Sequence, residues 1–386
     1  MHRRHLLAAA LAAPAFSFLP ALPAVAQGNK PPMRTRWNVT GSEGYDAIAF
    51  LGPLCGRDLY LNYYTAEADA FAPRLPADIR ADIPRLADES DQSPFGLLWP
   101  KLANALSGAG VTTLDSVIAL LADPDARLRP SYAANPNGSA EEWAWLRAQS
   151  ARLARIFAAM RDAGFPAFHR EAIGAGFDGR IAEVQRALAS YDVIHWQEKL
   201  TGRTFDPVIN IVLLAFSKPH GVKMQGQTFL QAADYDTATT VRIAAHEMLH
   251  PPMPMDGPAA TAALALLTKD PLIPRIVADH DPQWGYTTLE GMLDEDMAQA
   301  LDQLISEALG VARNPADRWR KADDGIHVLA GAIYGMLRQD RWTETGGSIE
   351  AWLAKAVRAG RFDPPRLHAI AAQVLERPVN ALWPIR

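Results

Sequence analysis

The run Val208-Ile209-Asn210-Ile211-Val212-Leu213-Leu214 constrains the fold more than any other stretch of the chain. It is rich in β-branched residues and too short for a typical helix, so it reads as a strand. Ser217 to Gly221, holding Pro219 and Gly221, reads as a turn, and Thr228-Phe229-Leu230 as the returning strand. Trp37–Thr40 is a further short strand candidate. Elsewhere the periodicity is helical. Ser139 and Glu142 stand three apart as a capping box, and Trp143, Leu146, Leu153, Ile156, Phe157 and Met160 follow on one helical face until Gly164 and Pro166. A helix is expected from Gly179 to Leu200, with Ile181, Val184, Leu188 and Tyr191 on its apolar stripe and His195 on that stripe as a core histidine. Later helices are expected over 236–250, 287–309, 325–337, 349–359 and 366–375. This pattern predicts an α+β fold, helix-rich with a small sheet.

The organisation expected along the chain has four parts. Residues 1–26 read as a cleaved export signal and 27–44 as a flexible N-terminal segment. Residues 45–204 are expected to form a helix-rich region, and 205–386 to carry the chemistry and fold with 45–204 as one compact unit in a chain of 386 residues. The signal rests on the basic start His2-Arg3-Arg4-His5, the apolar stretch from Leu6 to Val25 and the small-x-small site Ala24-Val25-Ala26. Arg3-Arg4 before Leu6-Leu7 resembles a twin-arginine signal, and an ordinary secretory signal fits equally well. The location expected is periplasmic or secreted. Pro14, Pro20 and Pro23 interrupt the apolar stretch, and no later segment is apolar for long enough to span a bilayer, so no stable membrane insertion is expected after signal removal. The net charge is −5, which excludes the basic surplus of a nucleic-acid binder. Cys55, the only cysteine, can form no internal disulfide and reads as a buried inert thiol.

His246-Glu247-Met248-Leu249-His250 carries the chemistry. This is H-E-x-x-H at the end of an expected helix, stopped by Pro251-Pro252. Positions i and i+4 share one helical face, so two imidazoles can reach one zinc ion at about 2.0–2.1 Å. Glu247, beside the first histidine, is placed to serve as a base toward water at that ion. Because Pro251 disfavours helical angles at the residue before it, His250 must occupy the last turn.

On these residues the chain resembles the zincin metallopeptidases, over roughly residues 206–310. They carry H-E-x-x-H on an active-site helix that follows a small sheet, so the resemblance implies a zincin-like α+β fold whose sheet is mainly antiparallel. In the gluzincin branch a glutamate on a later helix completes the metal site, often before a glycine and with an acid four residues on. Leu289-Glu290-Gly291-Met292-Leu293-Asp294 is similar to that second motif. The resemblance implies one zinc ion held by His246, His250 and Glu290, with Asp294 accepting a hydrogen bond from a ligating imidazole. About forty proline-rich residues separate His250 from Glu290, which leaves His280 and Asp281, and then Glu295, as rival ligands. Zincins also bring a Tyr or His to the oxyanion; His327 and Tyr334, seven apart on one expected helix, and Tyr286 are the candidates. The activity implied is hydrolysis of a peptide or protein substrate with Glu247 as general base. The competing readings are a zinc hydrolase of another bond, a periplasmic binding or assembly module with a coincidental motif, and a helix-rich first half that acts as a prodomain.

Overall fold

The β-branched run forms the strand β2 (Val208–Leu214), and β2 lies inside the sheet, not at its edge. In this computed structural model, which describes residues 32–384 apart from 94, 137, 282 and 283, β1 (Arg36–Gly41) pairs with β2 in parallel. On the other side, β4 (Thr228–Ala232) also pairs with β2 in parallel. The short strand β3 (Val222–Met224) lies antiparallel along the outer edge of β4, giving the order β1-β2-β4-β3. The sheet is therefore mixed and mostly parallel, which corrects the expected mainly antiparallel one. The returning stretch of chain is β3, and β4 then inserts between β3 and β2, so only β3 and β4 form a hairpin. The α+β, helix-rich class stands.

Both faces of this sheet are covered, which explains why β2 reads as a nearly continuous apolar run. Successive side chains point to opposite faces. Ile209, Ile211 and Leu213 join Trp37, Val39 and Phe229 in a core shared with the helices of the C-terminal half. Val212 and Leu214, with Val222, Met224 and Leu230, enter a second core built from the helices between Glu43 and Ile173. From Met33 onward the described chain forms one compact unit. The helical region expected over 45–204 thus folds onto the same sheet as the rest.

The expected signal 1–26 lies outside the described residues. Of the expected flexible segment 27–44, the part from residue 32 is ordered by specific bonds. Asp192 accepts hydrogen bonds from the backbone N–H groups of Arg34 (2.8 Å) and Thr35 (2.9 Å), and the Arg34 guanidinium pairs with Glu198 at 3.0 Å. Asp192 also caps a new helix, Val193–Thr201, separate from Phe177–Leu188. The single helix expected from Gly179 to Leu200 is therefore two. The break changes the helical phase, so His195 is exposed and not on the core stripe. The capping box at Ser139 and Glu142 opens the helix Ala140–Asp162 as expected. Cys55 is buried and unpaired. Among the described residues no helix is long and apolar enough to cross a membrane.

Candidate metal centre

Two helices build the site. The first, Thr237–Glu247, follows β4 directly; Asp236 caps it by accepting from Thr239 N–H at 2.6 Å. It ends just before Pro251, and a tight turn follows in which Leu249 N–H donates to the His246 carbonyl at 2.9 Å. His250 lies beyond the last helical residue, yet its ring still meets that of His246, with centroids 4.8 Å apart.

The second helix, Leu289–Ala308, is capped by Thr288 and packs against the first. It is unusual in burying polar side chains: Glu295, Asp296, Gln299, Asp302, Gln303 and Ser306 are all buried. Buried polar groups need partners, and several of these find them at the two histidines and around them. The Glu295 carboxylate lies 3.5 Å from His246 Nε2 and 3.4 Å from His250 Nε2, and the two Nε2 atoms are 3.1 Å apart. His246, His250 and Glu295 are the one set of possible metal-holding side chains among the described residues whose donor atoms converge, all within 4.8 Å of one another. Four-coordinate zinc with ligands at about 2.0–2.1 Å has neighbouring ligand atoms about 3.3 Å apart. The three separations bracket that value, so the donor set fits such an ion.

The surrounding groups aim these donors inward. His246 Nδ1 donates to Asp302 Oδ2 at 2.8 Å, which leaves Nε2 facing the centre. Arg318 in turn donates to both Asp302 oxygens, through Nη2 at 2.8 Å and through Nη1. Burial pushes the Asp302 carboxyl up, but Arg318 and His246 outweigh it and hold it down at about 2. Asp294 Oδ2 stands 3.4 Å from His250 Nδ1. Gln299 Nε2 donates to Glu295 Oε1 at 2.8 Å. Burial alone would lower His246, but Glu295, Asp302 and Glu247 raise it to about 10. The same carboxylates that hold a proton there would hold a metal cation.

Glu247 and His246 line a cleft of about 400 Å³ together with Glu295, Asp302, Asp323, Arg242, Arg313 and Gly221. Burial raises the Glu247 carboxyl, and the two histidines temper the shift. A carboxylate so placed is a better proton acceptor than one in water.

The structure does not bring all the expected residues to this point. Glu290 occupies the exposed first turn of its helix, away from the convergent set, and Glu295 stands in its place. Five residues turn a helix by about 140°, which puts the two glutamates on different faces. His280 is taken up elsewhere, its ring nitrogens 2.8 Å from the Ile276 carbonyl and 2.6 Å from that of Gly285. Asp294 lies where it was expected, beside His250.

Of the oxyanion candidates, His327 is fully buried and held by carboxylates on both ring nitrogens, Asp296 at 2.6 Å and Asp323 at 2.9 Å. Burial lowers His327, but these two acids outweigh it and raise it to about 9. Tyr334 faces away, donating to Glu307 at 2.5 Å and packing on Trp319. Glu307 lies twelve residues, or roughly 18 Å, along the helix from Glu295. Tyr286 packs edge-on against His327 at 5.5 Å. Burial raises its hydroxyl, and Glu295, Asp323, Asp296 and Glu247 raise it further.

Asp302, Arg318 and the cleft arginines were missed from sequence. One signal was present: Glu295, Gln299, Asp302 and Ser306 recur at four, three and four residues, a polar stripe running along the helix. Comparison with known proteins returned no matching family model, no matching curated protein and no matching solved structure. The functional reading therefore rests on the geometry of the site.

Proposed function

We propose that this protein is a zinc-dependent peptidase of the zincin type, with one zinc ion held by His246, His250 and Glu295. The observation that carries this reading is the convergence, at 3.1–3.5 Å, of the two H-E-x-x-H Nε2 atoms with one carboxylate from the neighbouring helix. When bound, the ion supplies Lewis acidity toward a carbonyl oxygen and toward water.

The chain's own residues do the rest. Asp302 and Asp294 accept the Nδ1–H groups and orient the imidazoles, and Gln299 orients Glu295. Glu247 accepts the proton of the attacking water and delivers it to the leaving amine. Tyr286, packed edge-on against His327, is the candidate donor toward the carbonyl oxygen that gains charge. Neither β2 nor β4 has a free side for a substrate strand, since each is paired on both flanks. The outer edge of β3, which Gly221 of the cleft precedes, is occupied as well. Asn104 donates to the carbonyl of its middle residue, Lys223, and Gln225 N–H donates to Ser107, so substrate is held by the cleft side chains and not by strand addition at this edge. The basic start and apolar stretch of residues 1–26 support export to the periplasm or medium.

The test is Glu247→Gln beside the parent, with zinc content and hydrolysis of a mixed peptide library as readouts. We expect zinc to stay near one per chain and the hydrolysis rate to fall at least a hundredfold, the scale of a lost general base. Full activity in the variant would remove Glu247 from the reaction.

A further inference from the structure

The cleft holds more positive charge than the metal centre uses. On the helix Thr237–Glu247, Thr239, Arg242, Ile243 and His246 line one face of it. Arg242 stands one turn before His246, about 6 Å along the axis. Its Nη1 donates to the Val311 carbonyl at 2.9 Å and its Nη2 to Thr239 Oγ1 at 2.7 Å. Two residues beyond Val311 comes Arg313, whose carbonyl accepts from Gln303 Nε2 at 2.9 Å. The loop backbone is thus pinned at 311 and 313, and the Arg313 side chain lines the cleft.

The three cleft arginines differ in one respect. Arg318 is bound to Asp302 at the back of the metal site. Arg242 and Arg313 have no ion-pair partner among the described residues, and the Arg313 guanidinium has no hydrogen-bond partner there either. Partial burial lowers Arg313, an exposed residue overall, and Arg318 and Arg242 lower it further while Asp302 acts the other way. The Arg313 guanidinium is thus open to an anionic group entering the cleft, which Arg242 also lines.

We propose that Arg242 and Arg313 form a subsite for a carboxylate of the substrate, one turn of helix away from the metal centre. The inference rests on the peptidase reading and names its substrate class: peptides with a carboxylate one or two residues from the scissile bond. A chain advances about 3.3–3.6 Å per extended residue, which matches the step from His246 to Arg242. A guanidinium binds a carboxylate in two parallel hydrogen bonds, which fixes register as well as affinity. The carboxylate is the α-carboxyl of the chain end or an acidic side chain.

The experiment uses zinc-loaded Glu247→Gln protein, so that peptides bind without turnover, and titration calorimetry. The first probe is glutarate against its neutral diamide. We expect glutarate to bind at least tenfold tighter than the diamide, and Arg313→Gln and Arg242→Gln each to weaken glutarate about tenfold with zinc content unchanged. Glutarate binding that is absent, or equal in the arginine variants and their parent, overturns the subsite. Ala-Ala-Phe against its C-terminal amide, and an internal Glu peptide against its Gln counterpart, identify the source. Preference for the free acid assigns the chain end, and preference for Glu over Gln assigns the side chain. Arginine-dependent glutarate binding without binding of any of these peptides keeps the subsite and refutes the peptidase reading.

Discussion

Replacing Glu295 by Gln removes one of three converging donors while changing shape very little. A structural zinc site of four ligands binds with an apparent ~10–16 kcal/mol, so each ligand contributes roughly 2.5–4 kcal/mol. At 1.4 kcal/mol per tenfold, zinc affinity should fall on the order of a hundred- to a thousandfold. Glu290→Gln, at an exposed position outside the convergent set, should leave it unchanged. Competitive titration against a chromophoric chelator measures both. Thermal unfolding gives an independent reading: zinc at a hundred times the parent dissociation constant stabilises the parent by about 2.7 kcal/mol. A hundredfold weaker variant would gain only about 0.4 kcal/mol at that zinc level, and most of the zinc-induced rise in melting temperature would vanish. Zinc affinity in Glu295→Gln within threefold of the parent, or a loss in Glu290→Gln instead, would refute the assignment.

Three further outcomes are expected. Asp302→Asn leaves Arg318 buried without its carboxylate and frees the His246 ring; it should destabilise the zinc-free protein by about 3–5 kcal/mol in urea unfolding and weaken zinc about 10–100-fold, and an unchanged midpoint would contradict the buried pair. Tyr286→Phe should lower the peptidase rate at least tenfold with zinc content unchanged, whereas Tyr334→Phe should keep the parent rate; the reverse order would return the oxyanion role to Tyr334. His220, close to Tyr60 and Trp99, is lowered by burial to about 4. Its folded pKa lies below the unfolded value of about 6.5, so the unfolded chain binds the extra proton first. Its contribution is present above pH ~6.5 and is lost as pH falls toward 4, on the order of 2–3 kcal/mol. His220→Gln should show a shallower loss of urea stability between pH 7 and 4.5 than the parent, and parallel curves would count against this.

Local signals in the sequence were reliable where the structure depends on local physics. The capping box at Ser139, the β-branched run at Val208 and the proline stop after His250 each act within a few residues, and each element forms there. What failed was non-local. The partner of β2 is a strand some 170 residues earlier, and no spacing rule reports that pairing. The phase of His195 was lost because Asp192 starts a new helix, a choice settled by its bonds to Arg34 and Thr35 far away in the chain. The metal centre was half legible. H-E-x-x-H locates two donors by a rule of the single helix. The third donor depends on which face of the next helix looks back at them, and the Glu-Gly pair at 290–291 pointed to the wrong turn. Counting helical phase from the buried polar stripe, Glu295 to Ser306, selects the right one.

The pairing of β1 with β2 also sets an order of events during synthesis. β1 emerges among the first residues of the described chain, but its neighbour is complete only at Leu214, and β4 only at Ala232. At about 5–20 residues per second, the first strand waits on the order of 10–40 seconds for the surface it belongs to. Through that interval the helices between Glu43 and Ile173 have no sheet to close their core, because Val212, Leu214 and Leu230 have yet to appear. The helix-rich half is thus a dependent partner of the strands it packs on, and cutting the chain near residue 204 would strand both pieces with an apolar face open to water. That is the behaviour of one folding unit, and it argues against residues 45–204 acting as a detachable inhibitory segment.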